Sequence, residues 1–303
     1  MKRKVLSLIL GIGLSCLVAC APKTEVAENV EQEVVETTEG TEDVVETTQE
    51  SEEVVGEESN EPEMETIYLL EKTTMYYEEE FEGTIECSYN EAGKLMVDVQ
   101  KDAGGNVLNK TEYEYDEKGN EIKRYQSSED GSYWSQSEKE YDESGKVIKE
   151  ISSNSYSEGT STIAYEYDEK DLLKKTITYD SNGKENKISE YDKYGELILE
   201  RHINSGELYT MDSEYDENGN LLKGDMYLND SLMNSMEFEY DENGNMIKRK
   251  DTTYYQGEVS HSESISEYDE NGNMILNIGY NEDGTIRFRY IYEYISMEVE
   301  KSE

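Results

Sequence analysis

A short turn motif recurs along most of this 303-residue chain and constrains its fold more than any other feature. Near-identical copies reading Tyr-Asp-Glu-Asn-Gly-Asn start at Tyr215, Tyr240 and Tyr268. Related forms start at Tyr115, Tyr141, Tyr179 and Tyr191, and weaker ones at Tyr89, Tyr167 and Tyr280. From Tyr89 the steps are 26, 26, 26, 12, 12, 24, 25, 28 and 12 residues, a unit of 12 to 14 that is often doubled. Longer gaps carry a degenerate turn midway, as in Asp102-Ala103-Gly104-Gly105-Asn106, Glu129-Asp130-Gly131 and Asn204-Ser205-Gly206. A period of this kind marks a repeat protein, in which each unit buries its apolar face only by stacking on its neighbours.

The unit has a direct physical reading. Asp followed three residues later by Gly suits a type I turn, because the carboxylate accepts backbone N–H groups. The Gly then takes the left-handed conformation of a G1 bulge. This assigns the repeat turns to Asp116 and Gly119, Asp142 and Gly145, Asp216 and Gly219, Asp241 and Gly244, and Asp269 and Gly272. With Glu217-Asn218-Gly219 as the loop, Asp216 pairs with Asn220 and Tyr215 faces Leu221. The same register sets Tyr240 opposite Met246 and Tyr268 opposite Met274. Alternation then places Phe238, Tyr240 and Met246 on one face, and Glu239 and Ile247 on the other. The only prolines, Pro22 and Pro62, precede the repeats. Segments this short leave no room for crossover helices. The expected fold is therefore all-β: an elongated antiparallel β-hairpin repeat meander, its sheet single-layered or spiralling, after a disordered N-terminal tether. Tyrosine supplies the apolar faces of a thin core, and the less regular strands 66–88 and 287–294 are expected to cap its ends.

The N-terminus reads differently. Lys2, Arg3 and Lys4 precede a short apolar run ending Leu17-Val18-Ala19-Cys20. That ending resembles the lipobox of bacterial lipoprotein signals. The resemblance implies cleavage after Ala19, a diacylglycerol on the Cys20 thiol, and an extracytoplasmic protein anchored to the cell membrane. Residues 1–19 are then the signal peptide, and residues 20–65 a lipidated cysteine followed by an acidic disordered linker. Residues 21–65 hold 17 acidic side chains, one lysine and no aromatic residue, and such dense like charge extends a chain. Val34-Val35-Glu36-Thr37-Thr38 recurs there as Val44-Val45-Glu46-Thr47-Thr48, a ten-residue step that fits no coiled coil. Cys16 leaves with the signal peptide, so Cys87 stands alone in the repeat domain of residues 66–303 without a disulfide partner.

The Tyr-Asp-x-x-Gly-x-apolar units at residues 89–285 resemble the YD repeats of the RHS family of bacterial surface and toxin-delivery proteins. Tyr, Asp and Gly fall at fixed offsets, with Leu221, Met246 and Met274 where the family favours leucine. The family places Arg after the Gly, whereas this chain has Asn120, Asn220, Asn245 and Asn273, or Lys146 and Lys184. A weaker similarity is to MORN-like repeat proteins.

Charge and chemistry narrow the function. The formal charge is −44, from 72 acidic and 28 basic residues, which argues against nucleic-acid binding. Asp216, Asn218 and Asn220 present oxygens at alternate positions, but the turn accounts for each of them without a metal. Neither His202 nor His261 sits by a serine on a strained elbow, and no phosphate-cradling glycine loop precedes a helix. The chain is expected to be no enzyme and to use no cofactor and no metal. What remains is surface: tyrosines outside the motif, namely Tyr125, Tyr133, Tyr209, Tyr227, Tyr254 and Tyr255, are the candidates for contact with a protein or glycan partner. The alternative is a structural envelope lipoprotein, or an immunity-type repeat protein, with no soluble ligand.

Overall fold

The computed structural model describes residues 63–301, so Leu17, Val18, Ala19, Cys20 and the linker up to residue 62 lie outside the described residues. Eighteen strands follow one another through short turns. The first six are β1 (Met64–Tyr77), β2 (Glu80–Tyr89), β3 (Leu95–Asp102), β4 (Val107–Tyr115), β5 (Glu121–Ser128) and β6 (Trp134–Tyr141). Next come β7 (Val147–Asn154), β8 (Ser161–Tyr167), β9 (Leu173–Tyr179), β10 (Glu185–Tyr191), β11 (Leu197–His202) and β12 (Leu208–Tyr215). The last are β13 (Leu221–Leu228), β14 (Ser231–Tyr240), β15 (Met246–Tyr255), β16 (Glu258–Tyr268), β17 (Met274–Asn281) and β18 (Ile286–Glu300). Each pairs antiparallel with the next.

The sheet is all-β and antiparallel, as the repeat implies, but it is not an open meander. β18 returns to pair with β1 along its whole length, from Met64 opposite Glu300 to Tyr77 opposite Phe288. The sheet thus closes into a barrel, and the terminal strands, expected to cap separate ends, seal one seam. The physical reason is the edge: two exposed edge strands of 14 and 15 residues would each leave a row of unpaired N–H and C=O groups. Closure satisfies both at once.

Strand parity gives the barrel two unlike ends. Turns that follow even-numbered strands carry the motifs that begin at Tyr89, Tyr115, Tyr141, Tyr167, Tyr191, Tyr215, Tyr240 and Tyr268, and they define the repeat end. Turns that follow odd-numbered strands define the distal end, including those after Tyr179 and Tyr280. Steps of 12 residues therefore cross the barrel, and steps of 24 to 28 return to the same end.

The repeat turns have one geometry. Asp216 N–H donates to Asn220 O at 2.9 Å, and its Oδ1 accepts the N–H groups of Asn218 and Asn220 at 2.8 Å each. Asn220 Nδ2 then donates to Oδ2 at 2.8 Å, which explains Asn where the RHS pattern has Arg. The pairs Asp116 with Asn120, Asp241 with Asn245, and Asp269 with Asn273 repeat this contact. Asp142 instead takes the Ser144 hydroxyl at 2.7 Å and the N–H of Lys146 at 3.0 Å. Gly219 closes the turn at φ 85°, a left-handed conformation that favours glycine. These bonds, led by the Asn amide, hold the carboxyls of Asp116, Asp216, Asp241 and Asp269 below the ordinary range.

Tyr215 faces Leu221 and Tyr240 faces Met246, but the next pairs are shifted by one. Glu239 pairs with Lys248, and Ile247 is the inserted residue between that pair and the Tyr240–Met246 pair. The cause is a β-bulge at each repeat hairpin, which inserts one residue into the odd strand. A bulge interrupts the ladder, and the motif tyrosines use the carbonyls there. Tyr115 Oη donates to Leu95 O at 2.8 Å, Tyr141 to Glu121 O at 2.6 Å, and Tyr167 to Val147 O at 2.7 Å. Tyr240, Tyr268 and Tyr294 reach Leu221 O, Met246 O and Met274 O at 2.9 Å each. Tyr89 does the same to Leu70 O at 2.7 Å. Two depart from the pattern: Tyr215 donates to the Asp192 carboxylate, and the Tyr191 hydroxyl lies 3.4 Å from the Thr176 hydroxyl. Burial pushes the hydroxyls of Tyr115, Tyr141, Tyr167, Tyr240 and Tyr268 above the usual range, and that of Tyr215 up to about 12.

Little else is buried. Among the described residues, the buried apolar side chains are Ile177 and Val299. The buried polar ones are Thr73, Thr111, Thr176, Ser189 and Ser266, which the pairings place on the tyrosine face. Burial pushes the Cys87 thiol up to about 11, the state of a packed thiol rather than a nucleophile.

Two outcomes test this account. Tyr240→Phe removes one hydroxyl bond and should destabilise the barrel by about 1 kcal/mol, lowering Tm by roughly 2–4 °C. Tyr254→Phe, at the distal end, should leave the melt unchanged. Equal effects of the two would overturn the role given to the motif hydroxyl. The second test is pH. A depressed carboxyl pKa stabilises the fold above the unfolded value and is lost as pH falls through the folded one. A raised tyrosine pKa stabilises the fold below its unfolded value, about 10, and is lost above it. Melts in high salt, which screens the general repulsion of a strongly acidic chain, should hold a plateau at neutral pH. They should fall below about pH 4 and again above about pH 10. A melt that is flat across either limb counts against the corresponding group.

Candidate functional site

The site that sequence reasoning singled out is a set of tyrosines, and the barrel sorts them by end. Tyr133 lies in the β5–β6 turn, Tyr209 is the second residue of β12, and Tyr227 the penultimate residue of β13. Tyr254 and Tyr255 are the last two residues of β15. All five therefore sit at the distal end. Tyr125 is the exception, mid-strand in β5 on the face opposite the motif tyrosines, paired with Glu112 and Gln136.

The distal end holds more than these. Tyr77 ends β1, Tyr156 lies in the β7–β8 turn, Tyr179 ends β9, and Tyr280 is penultimate in β17. Every turn of this end except β3–β4 has a tyrosine within two residues. Tyr156 is 81% exposed, Tyr255 62% and Tyr77 49%, whereas the motif tyrosines are half-buried. Tyr133 and Tyr156 stack with ring centroids 5.3 Å apart at 27°, and Tyr209 lies 5.4 Å from the His202 ring. Tyr179 and Tyr280 begin copies of the motif and so fall outside a choice of non-motif tyrosines, whereas Tyr77 and Tyr156 satisfy that choice and belong with the other five. Counting turn parity from Tyr89 would have found all four.

At the repeat end the first and last described residues meet. Residues 64–70 of β1 pair only with residues 294–300 of β18, as a ribbon beyond the pairings of β2 and β17. Lys301 N–H donates to Glu63 O at 2.7 Å, and its ammonium lies 3.3 Å from the Glu63 carboxylate. Gly93, in the first repeat turn, lies against Ile67, Leu69 and Val299 of this ribbon. A Cβ there would come within 2.6 Å of Ile67 Cδ1.

Charge decides what the wall can face. The tyrosine face carries Arg124 opposite Tyr113, Lys139 opposite Glu150, and Arg249 opposite Phe238. The other face carries Glu140 with Lys149 at 2.8 Å, Lys123 with Glu114 at 3.6 Å, and Lys248 with Glu263 at 2.9 Å. A lipid-facing barrel wall needs an apolar band about 25 Å tall, and charge interrupts both faces. No helix among the described residues is long and apolar enough to cross a membrane.

Each histidine has a side-chain partner. His202 Nε2 lies 2.7 Å from Glu200 Oε1, and His261 Nδ1 lies 3.1 Å from Thr252 Oγ1. The turn aspartates spend their oxygens on backbone N–H groups and Asn amides, and no group of three metal-ligating side chains occurs among the described residues.

A cleft of about 440 Å³ opens near the distal end across β14 to β17, lined by residues including Glu237, Lys250, His261, Glu263, Ile265 and Tyr280.

No family model matches the chain, and no curated protein matches it. Among solved structures, a porin-like protein from Bacteroides uniformis aligns over 75% of this chain and 98% of its own, with 13% identity and a TM-score of 0.42. A porin-like protein from Bacteroides vulgatus aligns over 76% and 99%, with 10% identity and a TM-score of 0.39. The TcdB2-TccC3 structure aligns over 72% of this chain but 16% of its own, with 11% identity and a TM-score of 0.27. None of these scores reaches the level at which a shared fold carries an argument about function.

Proposed function

We propose that this chain is a lipid-anchored, extracytoplasmic bacterial surface protein whose barrel is a non-catalytic binding module for a protein or glycan partner. The observation that carries the reading is the division of tyrosines between the two ends. At the repeat end the hydroxyls hold neighbouring hairpins together. At the distal end the side chains include Tyr156, Tyr255 and Tyr77, each at least 49% exposed. Exposed tyrosines add contact area at low entropic cost, since each has few rotatable bonds.

Capture of a saturable partner by the lipidated chain should fall at least tenfold when Tyr133, Tyr156 and Tyr255 are all changed to Ala. Shortening the linker by half should leave capture from solution unchanged. Capture that survives the triple change, or a phenotype that follows linker length alone, would favour the structural envelope role instead. Cys20→Ala should move the protein from the membrane to the soluble fraction, and retention at the membrane would overturn the anchor.

A further inference from the structure

The cleft across β14 to β17 belongs to neither the repeat turns nor the stacked Tyr133–Tyr156 pair, and its lining has a definite order. On the face opposite the motif tyrosines, Glu237 of β14 pairs with Lys250 of β15, Lys250 with Glu263 of β16, and Glu263 with Tyr280 of β17. One row further toward the distal end, Ser235 pairs with Thr252 and Thr252 with His261. Four strands thus present acid, base, acid and aromatic ring in one line, with hydroxyl and imidazole groups beside it. Ile265, 36% exposed, adds an apolar patch on the same face.

We infer that this cleft is a saccharide subsite, taking one pyranose ring of a neutral glycan. The inference rests on the reading of the barrel as a binding module and names the ligand class. Three considerations exclude the other common classes. An anion would meet Glu237, Glu263 and Glu282 against the single ammonium of Lys250. A lone cation would compete with Lys250 and with Lys248, which already lies 2.9 Å from Glu263. An apolar ligand would strip water from charged groups without returning hydrogen bonds. A pyranose has what the wall asks for. Its C–H face is apolar and covers an aromatic ring or an isoleucine, while its edge carries hydroxyls that both donate and accept. Carboxylates accept from those hydroxyls, and the ammonium donates to them. The volume, about 440 Å³, falls in the range of small-ligand sites.

The test uses the full chain and four probes, maltotriose, chitotriose, xylotriose and mannotriose, in saturation-transfer NMR at millimolar sugar. At least one should show saturable transfer concentrated on the C–H protons of one ring face. Tyr280→Ala should weaken that binding about tenfold, and Glu237→Gln, a near-isosteric change that leaves the strand pairing intact, about threefold or more. Leu108→Ala, an exposed position of β4 outside the cleft, should not change it. The thermal melt of each variant checks that the barrel persists. Failure of all four sugars to saturate, or binding that neither variant at the cleft weakens, overturns the saccharide assignment. If partner capture through Tyr133, Tyr156 and Tyr255 persists in that case, the binding-module reading stands without this subsite. If capture is absent too, both fall.

Discussion

The barrel depends on one repeated contact, the motif tyrosine hydroxyl reaching a carbonyl at the bulge of the preceding hairpin. Two-stranded hairpins this short are marginal on their own, and here almost no aliphatic core lies behind them. The bulge sets the odd strand one residue out of step and interrupts the ladder. The tyrosine that precedes the same turn fills the corresponding gap in the hairpin before it. Each hairpin is therefore incomplete until its neighbour is in place. Where Tyr215 turns to the Asp192 carboxylate instead, the two groups still bind adjacent hairpins together, so the coupling survives a change of acceptor.

The bulge also explains how so acidic a wall holds. It places Glu114 opposite Lys123, Glu140 opposite Lys149, Glu166 opposite Lys175, Glu214 opposite Lys223 and Glu239 opposite Lys248. Without the inserted residue each of these glutamates would face an apolar or lysine neighbour one position away, such as Ile247. Exposed pairs of this kind contribute little each, and the bulged register exchanges a mostly apolar cross-strand neighbour for an opposite charge.

How much of this was legible in the sequence follows from which interactions are local. The Asp216 turn, its pairing with Asn220 and the contact between Tyr215 and Leu221 lie within seven residues and could be read directly. The Glu-to-Lys interval of nine residues was present in five hairpins and would have revealed the bulge, but alternation from the turn was assumed to run on unbroken. Closure was not legible because it is a property of the ends. Nothing in Thr66-Ile67-Tyr68-Leu69 says that its partner lies more than 200 residues away, whereas the summed twist and stagger of the strands between bring them together. For the candidate site, residue type was readable and grouping was not. Five of the six tyrosines chosen share an end because turns alternate between two ends, and Tyr125 was chosen on the same criterion yet sits mid-strand.

That alternation gives one residue type two physical roles. At the repeat end a tyrosine precedes a turn whose bulge offers a carbonyl, so its hydroxyl is engaged and its ring half-buried. At the distal end several turns are tighter: Glu78-Glu79 and Asn229-Asp230 take positive φ at both positions, the twist that suits two-residue hairpins. These hairpins bulge as well, between Met75 and Tyr76 and between Met226 and Tyr227, so the turn type rather than the bulge sets the two ends apart. The chain can vary its distal turns in length, charge and aromatic content without disturbing the contact that couples the hairpins. A repeat built this way separates the end whose hydroxyls couple the hairpins from the end whose turns vary.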